Sequence, residues 1–292
     1  MIKLIASDMD GTLLNEELVV SQENAAAIKR AQEAGIHFVV ATGRSYETGY
    51  NLLQDRDIRC PFIALNGAEF YDEQGNRHYT RHVEKSDLQE VLDLLAKYPI
   101  QLDIATPKGI YTKLSRKEYI VSVTEDLLGL NPNADIESFM EEIENYIDEL
   151  RLIYVQSFDE LLQDDGPDAL KIIIFSSDNI VRETVKAIVE QNLPSLIVTS
   201  ATPTNLEINT RAANKGQAVA DYAQKLGIQA SEVAAIGDSF NDLTMLEWAK
   251  YSFAVANAAP EIKNIANHQT VSHKDHAVAK LIDDILAGKY ND

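Results

Sequence analysis

A single cysteine, Cys60, is all that this chain of 292 residues offers for thiol chemistry, so no internal disulfide can staple its fold. Proline (8) and glycine (13) are too sparse for a collagen-like or low-complexity chain, and a hydrophobic fraction of 45% is too high for a disordered one. Basic residues are scarce: 26 stand against 46 acidic ones, a formal net charge of −20. A surface of that sign repels nucleic-acid phosphates and anionic lipid headgroups, and the sequence shows no local basic patch to override it. No run approaches the roughly 18 consecutive apolar residues of a membrane helix, and Asp8 and Asp10 arrive before an apolar signal segment could develop. These absences predict a cytoplasmic globular protein with no nucleic-acid or membrane partner. The length predicts one large or two medium domains with real cores.

Short apolar runs at residues 2–7, 36–42 and 62–65 alternate with helical stretches at 21–34 and 45–53. Ser21 is placed to cap the first helix and Gly35 to end it. Near-continuous apolar strands of this kind are buried on both faces, which predicts a doubly wound, Rossmann-like α/β core with a parallel sheet. The same theme returns with helices at 216–226 and 243–249, strands at 233–236 and 251–255, and closing helices near 260–266 and 277–287. The middle differs. Candidate strands at 101–105, 152–156, 171–175, 197–201 and 205–209 mix with uneven helices, which predicts an α+β domain at 84–209 inserted into a core formed by 1–83 and 210–292. Residues 125–165 hold thirteen acids and one base, Arg151, read most simply as a solvated face.

The chemistry concentrates where strands end. Asp8-Met9-Asp10-Gly11-Thr12 follows the first strand, and ligands of an open α/β sheet bind at the carboxyl ends of strands. A calcium loop also opens D-x-D, but it needs Gly at its sixth position and Glu at its twelfth; here Gly11 is fourth and Val19 twelfth. Thr42-Gly43-Arg44 follows the second strand, Lys215 opens a helix, and Gly237-Asp238-Ser239-Phe240-Asn241-Asp242 follows the strand at 233–236. Thr42 offers a hydroxyl, Gly43 a close backbone approach to an anion, and Lys215 a point charge at a helix N-terminus. Asp8, Asp10 and Asp238 form a set of hard oxygen ligands suited to Mg²⁺. Carboxylates, a cation, a hydroxyl and a lysine on one sheet edge are the equipment for phosphoryl transfer.

These segments resemble a known family. DMDGTLL, VVATGR, NKG and IGDSFNDLTML, with Leu65-Asn66-Gly67-Ala68, are similar to the four motifs of the haloacid dehalogenase (HAD) superfamily, and their arrangement resembles its Cof-type, subclass IIB branch of sugar phosphatases. The resemblance implies a Mg²⁺-dependent phosphatase of small phosphate esters, sugar phosphates above all, whose inserted domain is a substrate-selecting cap on linkers near 83 and 210. Asp8 would be the nucleophile that forms an aspartyl-phosphate, and Asp10 the general acid and base, with a backbone carbonyl on the metal. Thr42, Gly43 and Lys215 would hold phosphate oxygens, Asp238 would complete the metal ligands, and Asn241 and Asp242 would support from a second position. Arg44 is the candidate for a further substrate contact. Asp275-His276-Ala277 departs from the family's usual Asp-Gly pair. A phosphosugar mutase using the same intermediate, and a non-catalytic metabolite sensor, are the alternatives. The absence of G-x-G-x-x-G and of a P-loop argues against nucleotide cofactors. The oligomeric state is not legible.

Overall fold

The structure, a computed structural model, describes residues 1–130 and 136–290. Residues 131–135 of the acid-rich segment at 125–165, and the side chains at 125–130, 136–139, 141, 142 and 146, lie outside the described residues. The chain divides into two compact units, one made of Met1–Arg81 with Ala212–Asp292 and the other of His82–Arg211.

In chain order the first unit opens with β1 (Leu4–Ser7), α1 (Gln22–Glu33), β2 (His37–Ala41), α2 (Tyr46–Gln54), β3 (Phe62–Ala64), β4 (Glu69–Tyr71) and β5 (Arg77–Thr80). The second unit follows with α3 (Lys85–Leu95), β6 (Gln101–Thr106), β7 (Gly109–Thr112), α4 (Arg116–Leu130), α5 (Ile136–Glu149), β8 (Leu152–Tyr154), α6 (Asp159–Leu162), β9 (Lys171–Phe175), α7 (Asn179–Asn192), β10 (Leu196–Thr199) and β11 (Asn205–Thr210). The first unit then resumes with α8 (Lys215–Lys225), β12 (Val233–Gly237), α9 (Leu243–Trp248), β13 (Tyr251–Ala254), α10 (Pro260–Ile265), β14 (His268–Gln269) and α11 (Ala277–Leu286).

The first unit's sheet runs β14-β13-β12-β1-β2-β3-β4-β5, parallel from β14 to β3. Every residue of β1, β12 and β13 is buried, as strands covered on both faces must be. The helix pairs α1 with α11 and α8 with α9 supply that cover. Ser21 caps α1 by accepting from the Asn24 N–H, and Asn24 in turn ties α1 to Leu13 and Ala279. In this unit β4, β5 and the two-residue β14 were not among the strands expected from sequence. β4 and β5 close the sheet antiparallel, and Glu69–Tyr71 and Arg77–Thr80 are too short and too polar to show a period. A charged outer strand also protects the sheet edge from pairing with another chain.

The second unit's sheet runs β10-β11-β9-β6-β7-β8, antiparallel except for β7 with β8. One face carries Ile104, Ile172, Ile174, Leu206 and Ile208 into a core shared with Leu88 and Val91 of α3 and Val185 and Val189 of α7. The alternate residues on the other face include Asp103, Lys171 and Glu207, with a Lys171–Glu207 ion pair of 2.6 Å. Among the described residues no helix is long and apolar enough to cross a membrane.

Strand order places the site. The chain runs from β1 outward through β2 and β3 on one side and from β12 outward through β13 on the other, so β1 and β12 form the switch point at which open α/β sheets bind ligands. Their register pairs Ser7 with Ile236, which sets Asp8 beside the end of β12.

Candidate active site

Asp8 leaves β1 with its N–H still bonded to the Ile236 carbonyl at 3.0 Å, so sheet geometry carries directly into the site. The chain then turns, with Leu13 and Leu14 N–H groups returning to the Met9 carbonyl. Gly11 makes this turn at φ +75°, and a Cβ there would stand 2.7 Å from Asp238 Oδ2. Glycine is required twice over, for the left-handed backbone and for the close approach of the acid. On the other loop, a Cβ at Gly237 would stand 2.5 Å from Asp242 Cγ.

Asp242 organises that second loop. Its Oδ2 accepts from the Asp238 and Ser239 N–H groups at 2.9 and 3.0 Å, while its Oδ1 accepts from Lys215 Nζ at 2.7 Å. Lys215 is the first residue of α8, whose cap Asn214 accepts from the Gln217 N–H, and its ammonium also donates to Asp8 Oδ1 at 2.6 Å. Asp238 accepts from the Thr12 hydroxyl at 3.1 Å and the Ser239 hydroxyl at 2.8 Å. Oxygens of Asp8, Asp238 and Asp242 lie within 4.8 Å of one another, a spacing suited to gathering around one small cation.

The charges do not balance within the protein, because the buried carboxylates of Asp8 and Asp242 and the half-buried one of Asp238 face one lysine. Burial first, then the Asp242 carboxylate, pushes the Asp8 carboxyl well above its ordinary range against the pull of Lys215. Burial and Asp242 likewise push Asp238 up to about 6, opposed by the Ser239 hydrogen bond. Burial pulls Lys215 down, but the carboxylates of Asp242 and Asp8 outweigh it and its ammonium is held more firmly than usual. A pocket with this excess of negative charge fits a divalent cation, which would supply the missing countercharge.

The third loop adds the remaining groups. Thr42 follows β2, fully buried, and its hydroxyl oxygen accepts from the Arg44 N–H at 3.2 Å. The Thr42 and Arg44 carbonyls accept from the N–H groups of Asn66 and Leu65, which both sit at positive φ, +60° and +50°. Asn241 Nδ2 donates to Asn66 Oδ1 at 3.3 Å, and Asn257 Nδ2 donates to the Gly11 carbonyl at 2.8 Å. The loops are therefore knitted together before any ligand arrives.

Of the residues singled out from sequence, the structure gathers Asp8, Asp238, Asp242 and Lys215 at the end of β1. Asp242, read there as a supporting group, stands at the centre. Asp10 has its carboxylate elsewhere: both oxygens accept from the Arg44 guanidinium, from Nη2 at 2.7 Å and Nε at 2.8 Å. Arg44, read as a substrate contact, is thus engaged with Asp10. Thr12, Ser239, Asn66 and Asn257 received no role from sequence, although Ser239 adjoins Asp238 and Thr12 stands two residues after Asp10. His276 occupies the left-handed region at φ +59°, which explains why glycine suits that position, and its Nδ1 lies 3.0 Å from the Ser21 hydroxyl. Cys60 is buried, and burial pushes its thiol up to about 12, which leaves it unreactive.

Comparison with known proteins agrees with this geometry. The sequence profile of the haloacid dehalogenase-like hydrolases matches residues 5–282. The phosphatase YwpJ of Bacillus subtilis is 33% identical over 288 residues, 98% of this chain and 100% of the relative. The 5-amino-6-(5-phospho-D-ribitylamino)uracil phosphatase YwtE of the same organism is 31% identical over 290 residues, 99% of this chain and 100% of the relative. Among solved structures, a haloacid dehalogenase-like hydrolase from B. subtilis superposes with a TM-score of 0.87 at 33% identity, covering 97% of this chain and 99% of that one.

Proposed function

Because the chain belongs to the haloacid dehalogenase-like hydrolase family, and is a phosphatase of it, we propose that it is a Mg²⁺-dependent enzyme acting on small sugar or polyol phosphates. The cluster of Asp8, Asp238 and Asp242 around Lys215 carries this reading. Asp8 and Asp238 would hold the metal, with the Asp10 backbone carbonyl and support from Asp242. A bound divalent cation neutralises the nucleophile against the phosphate dianion, so that like charges can approach. Residues 84–209 would form the cap that selects the leaving group.

Lys215 fixes one oxygen of Asp8 and so orients the carboxylate for attack. In the first half-reaction an Asp8 oxygen bonds to phosphorus and the ester P–O bond breaks, while Asp10, with one oxygen released from Arg44 to carry the proton, gives that proton to the leaving alkoxide. In the second, Asp10 takes a proton from water, the water oxygen bonds to phosphorus, and the Asp8–phosphate bond breaks to release inorganic phosphate. Thr42, the Gly43 N–H, Lys215 and Asn241 would hold the non-bridging oxygens. The name of the YwtE relative describes a phosphorylated ribityl chain, which supports a polyol phosphate as the ester to test first.

The test is phosphate release from a panel of sugar and polyol phosphates and one aryl phosphate, in Mg²⁺ and in EDTA. Metal-dependent release supports the reading; no release from folded protein on any ester sinks it.

Two further outcomes are expected. Asp238 has a folded-state pKa near 6, above the unfolded value near 3.8, so its contribution favours the folded state below about pH 4 and is lost as pH rises to 6. Above pH 6 a bound cation offsets that loss. The rise in Tm between EDTA and saturating Mg²⁺ should therefore be several degrees larger at pH 7.5 than at pH 5, measured by scanning calorimetry; equal shifts would contradict metal binding at Asp238. Arg44 acts on Asp10, and its two parallel donors match both carboxylate oxygens. Arg44→Lys should lower kcat by about ten-fold or more with little change in Tm, because one ammonium cannot reproduce the planar fork. Wild-type kcat in Arg44→Lys would remove the positioning role.

A further inference from the structure

The chain passes between its two units twice, at Arg81–His82 and at Arg211–Ala212. Both crossings are pinned within the second unit. The Val83 N–H donates to the Ala169 carbonyl at 2.7 Å, and the Arg211 guanidinium donates to the Pro194 and Leu196 carbonyls, each at 2.8 Å. Within the first unit one side chain holds both. The Arg81 N–H donates to the Ala68 carbonyl at 2.7 Å, which fixes its backbone. Its guanidinium donates from Nη1 to the Ala212 carbonyl at 2.9 Å and from Nη2 to the Asp221 carboxylate, and lies 4.4 Å from the centre of the Tyr79 ring. Asp221 belongs to α8, and its other oxygen accepts from Gln217 Nε2 at 2.8 Å. That helix packs so closely on α9 that a Cβ at Gly216 would stand 2.3 Å from the Thr244 carbonyl oxygen. Little chain is left between the pins: His82 in the first crossing, and the peptide joining Arg211 to Ala212 in the second.

We propose that Arg81 is a rivet that ties both crossings to α8, so that the second unit turns about a single hinge axis through His82 and the Arg211–Ala212 peptide. Two joints this short, held side by side by one guanidinium, leave rotation about the line that joins them as the soft motion. Hinges are commonly a few such positions, which absorb the whole change in φ and ψ. A guanidinium suits the task because its planar fork serves two acceptors at once while its face rests on an aromatic ring. The consequence for turnover rests on reading residues 84–209 as a cap: a cap that admits an ester and then shuts out water gains from moving along one path. The same helix that anchors the rivet begins with Lys215, so hinge and site share one mount. Arg81 is thereby a positioning residue, not a catalytic one.

Pulsed electron spin resonance between two nitroxides tests this directly. Glu33→Cys on α1 and Glu190→Cys on α7 place one label on each unit at exposed positions, while the buried, unreactive Cys60 takes none. The doubly labelled protein should give a narrow spread of distances, and adding Arg81→Met or Arg81→Lys should make that spread about two-fold wider or more. Asp221→Asn, which removes only the anchor's charge, should widen it less. Amide hydrogen exchange in β1 and β12 should be the same in all of them. An unchanged spread in the Arg81 variants would overturn the inference. So would a wider spread accompanied by lost protection in β1 and β12, because Arg81 would then support the core of the first unit and not the hinge. Arg81→Lys keeps the charge and the apolar stem, so the comparison stands even where Arg81→Met does not fold. No turnover is involved: an inactive wild type would sink the phosphatase reading and leave the hinge result in place.

Discussion

Asp8→Asn should abolish turnover, lowering kcat by about 10⁴-fold or more, which corresponds to ~5.5 kcal/mol of lost barrier reduction. The amide is nearly isosteric but is no carboxylate nucleophile, so the covalent half-reaction has no starting point. Stability should move the other way. Burial and the neighbouring Asp242 make an ionised Asp8 costly to the folded protein, and a neutral amide removes that cost while Lys215 keeps its bond to Asp242. At neutral pH without metal, the Tm of Asp8→Asn should therefore exceed that of wild type. The two readouts separate a lost nucleophile from a damaged fold: inactivity with a raised Tm is expected, and phosphate release that survives the substitution would remove Asp8 from the mechanism.

Lys215→Met carries the second large effect, this time on folding as well as catalysis. The Lys215 side chain is fully buried and donates to both Asp8 and Asp242. Removing one partner from a buried charge cluster costs about 3–5 kcal/mol, because the carboxylates left behind have neither water nor a countercharge. Without metal, the variant should unfold at far lower urea concentration than wild type at pH 7.5. Acid should narrow the gap. Asp238 goes neutral as the pH falls through about 6, and the Asp8 carboxyl, also raised by burial, takes up its proton more readily than an ordinary carboxylate, so acid relieves both at smaller cost. Urea midpoints at pH 5 and pH 7.5 check this, and a Lys215→Met protein with the wild-type midpoint at pH 7.5 would mean that the ammonium does not hold the cluster together. Activity should be lost at either pH, since Asp8 would lose the bond that orients it.

The strand-and-helix order of the core was legible in sequence because its strands are buried on both faces and read as unbroken apolar runs between capped helices. Ser21 and Gly35 punctuate the chain where the structure begins and ends α1. β4 and β5 were not legible, since three or four residues such as Glu69–Tyr71 show neither a period nor an unbroken apolar run, and only pairing makes them strands, β4 with β3 and β5 with β4. β7 at Gly109–Thr112 is similar, a short strand defined by its partners β6 and β8.

The candidate site divides along the same line. Local sequence by itself determined which chemical groups are present and that each stands where a strand ends or a helix starts, because backbone periodicity and capping are properties of neighbouring residues. It therefore marked Asp8, Asp10, Thr42, Gly43, Arg44, Lys215 and Asp238, with Asn241 and Asp242 as supporting groups. Tertiary structure alone decided which of those groups meet. Asp242 became the hub, joining Lys215 to the loop of Asp238, and Asp10 was drawn to Arg44, 34 residues away. No spacing rule encodes such pairings. They follow from strand order, which sets β1 beside β12, and from buried charge, which must find its partner in three dimensions whatever the distance along the chain.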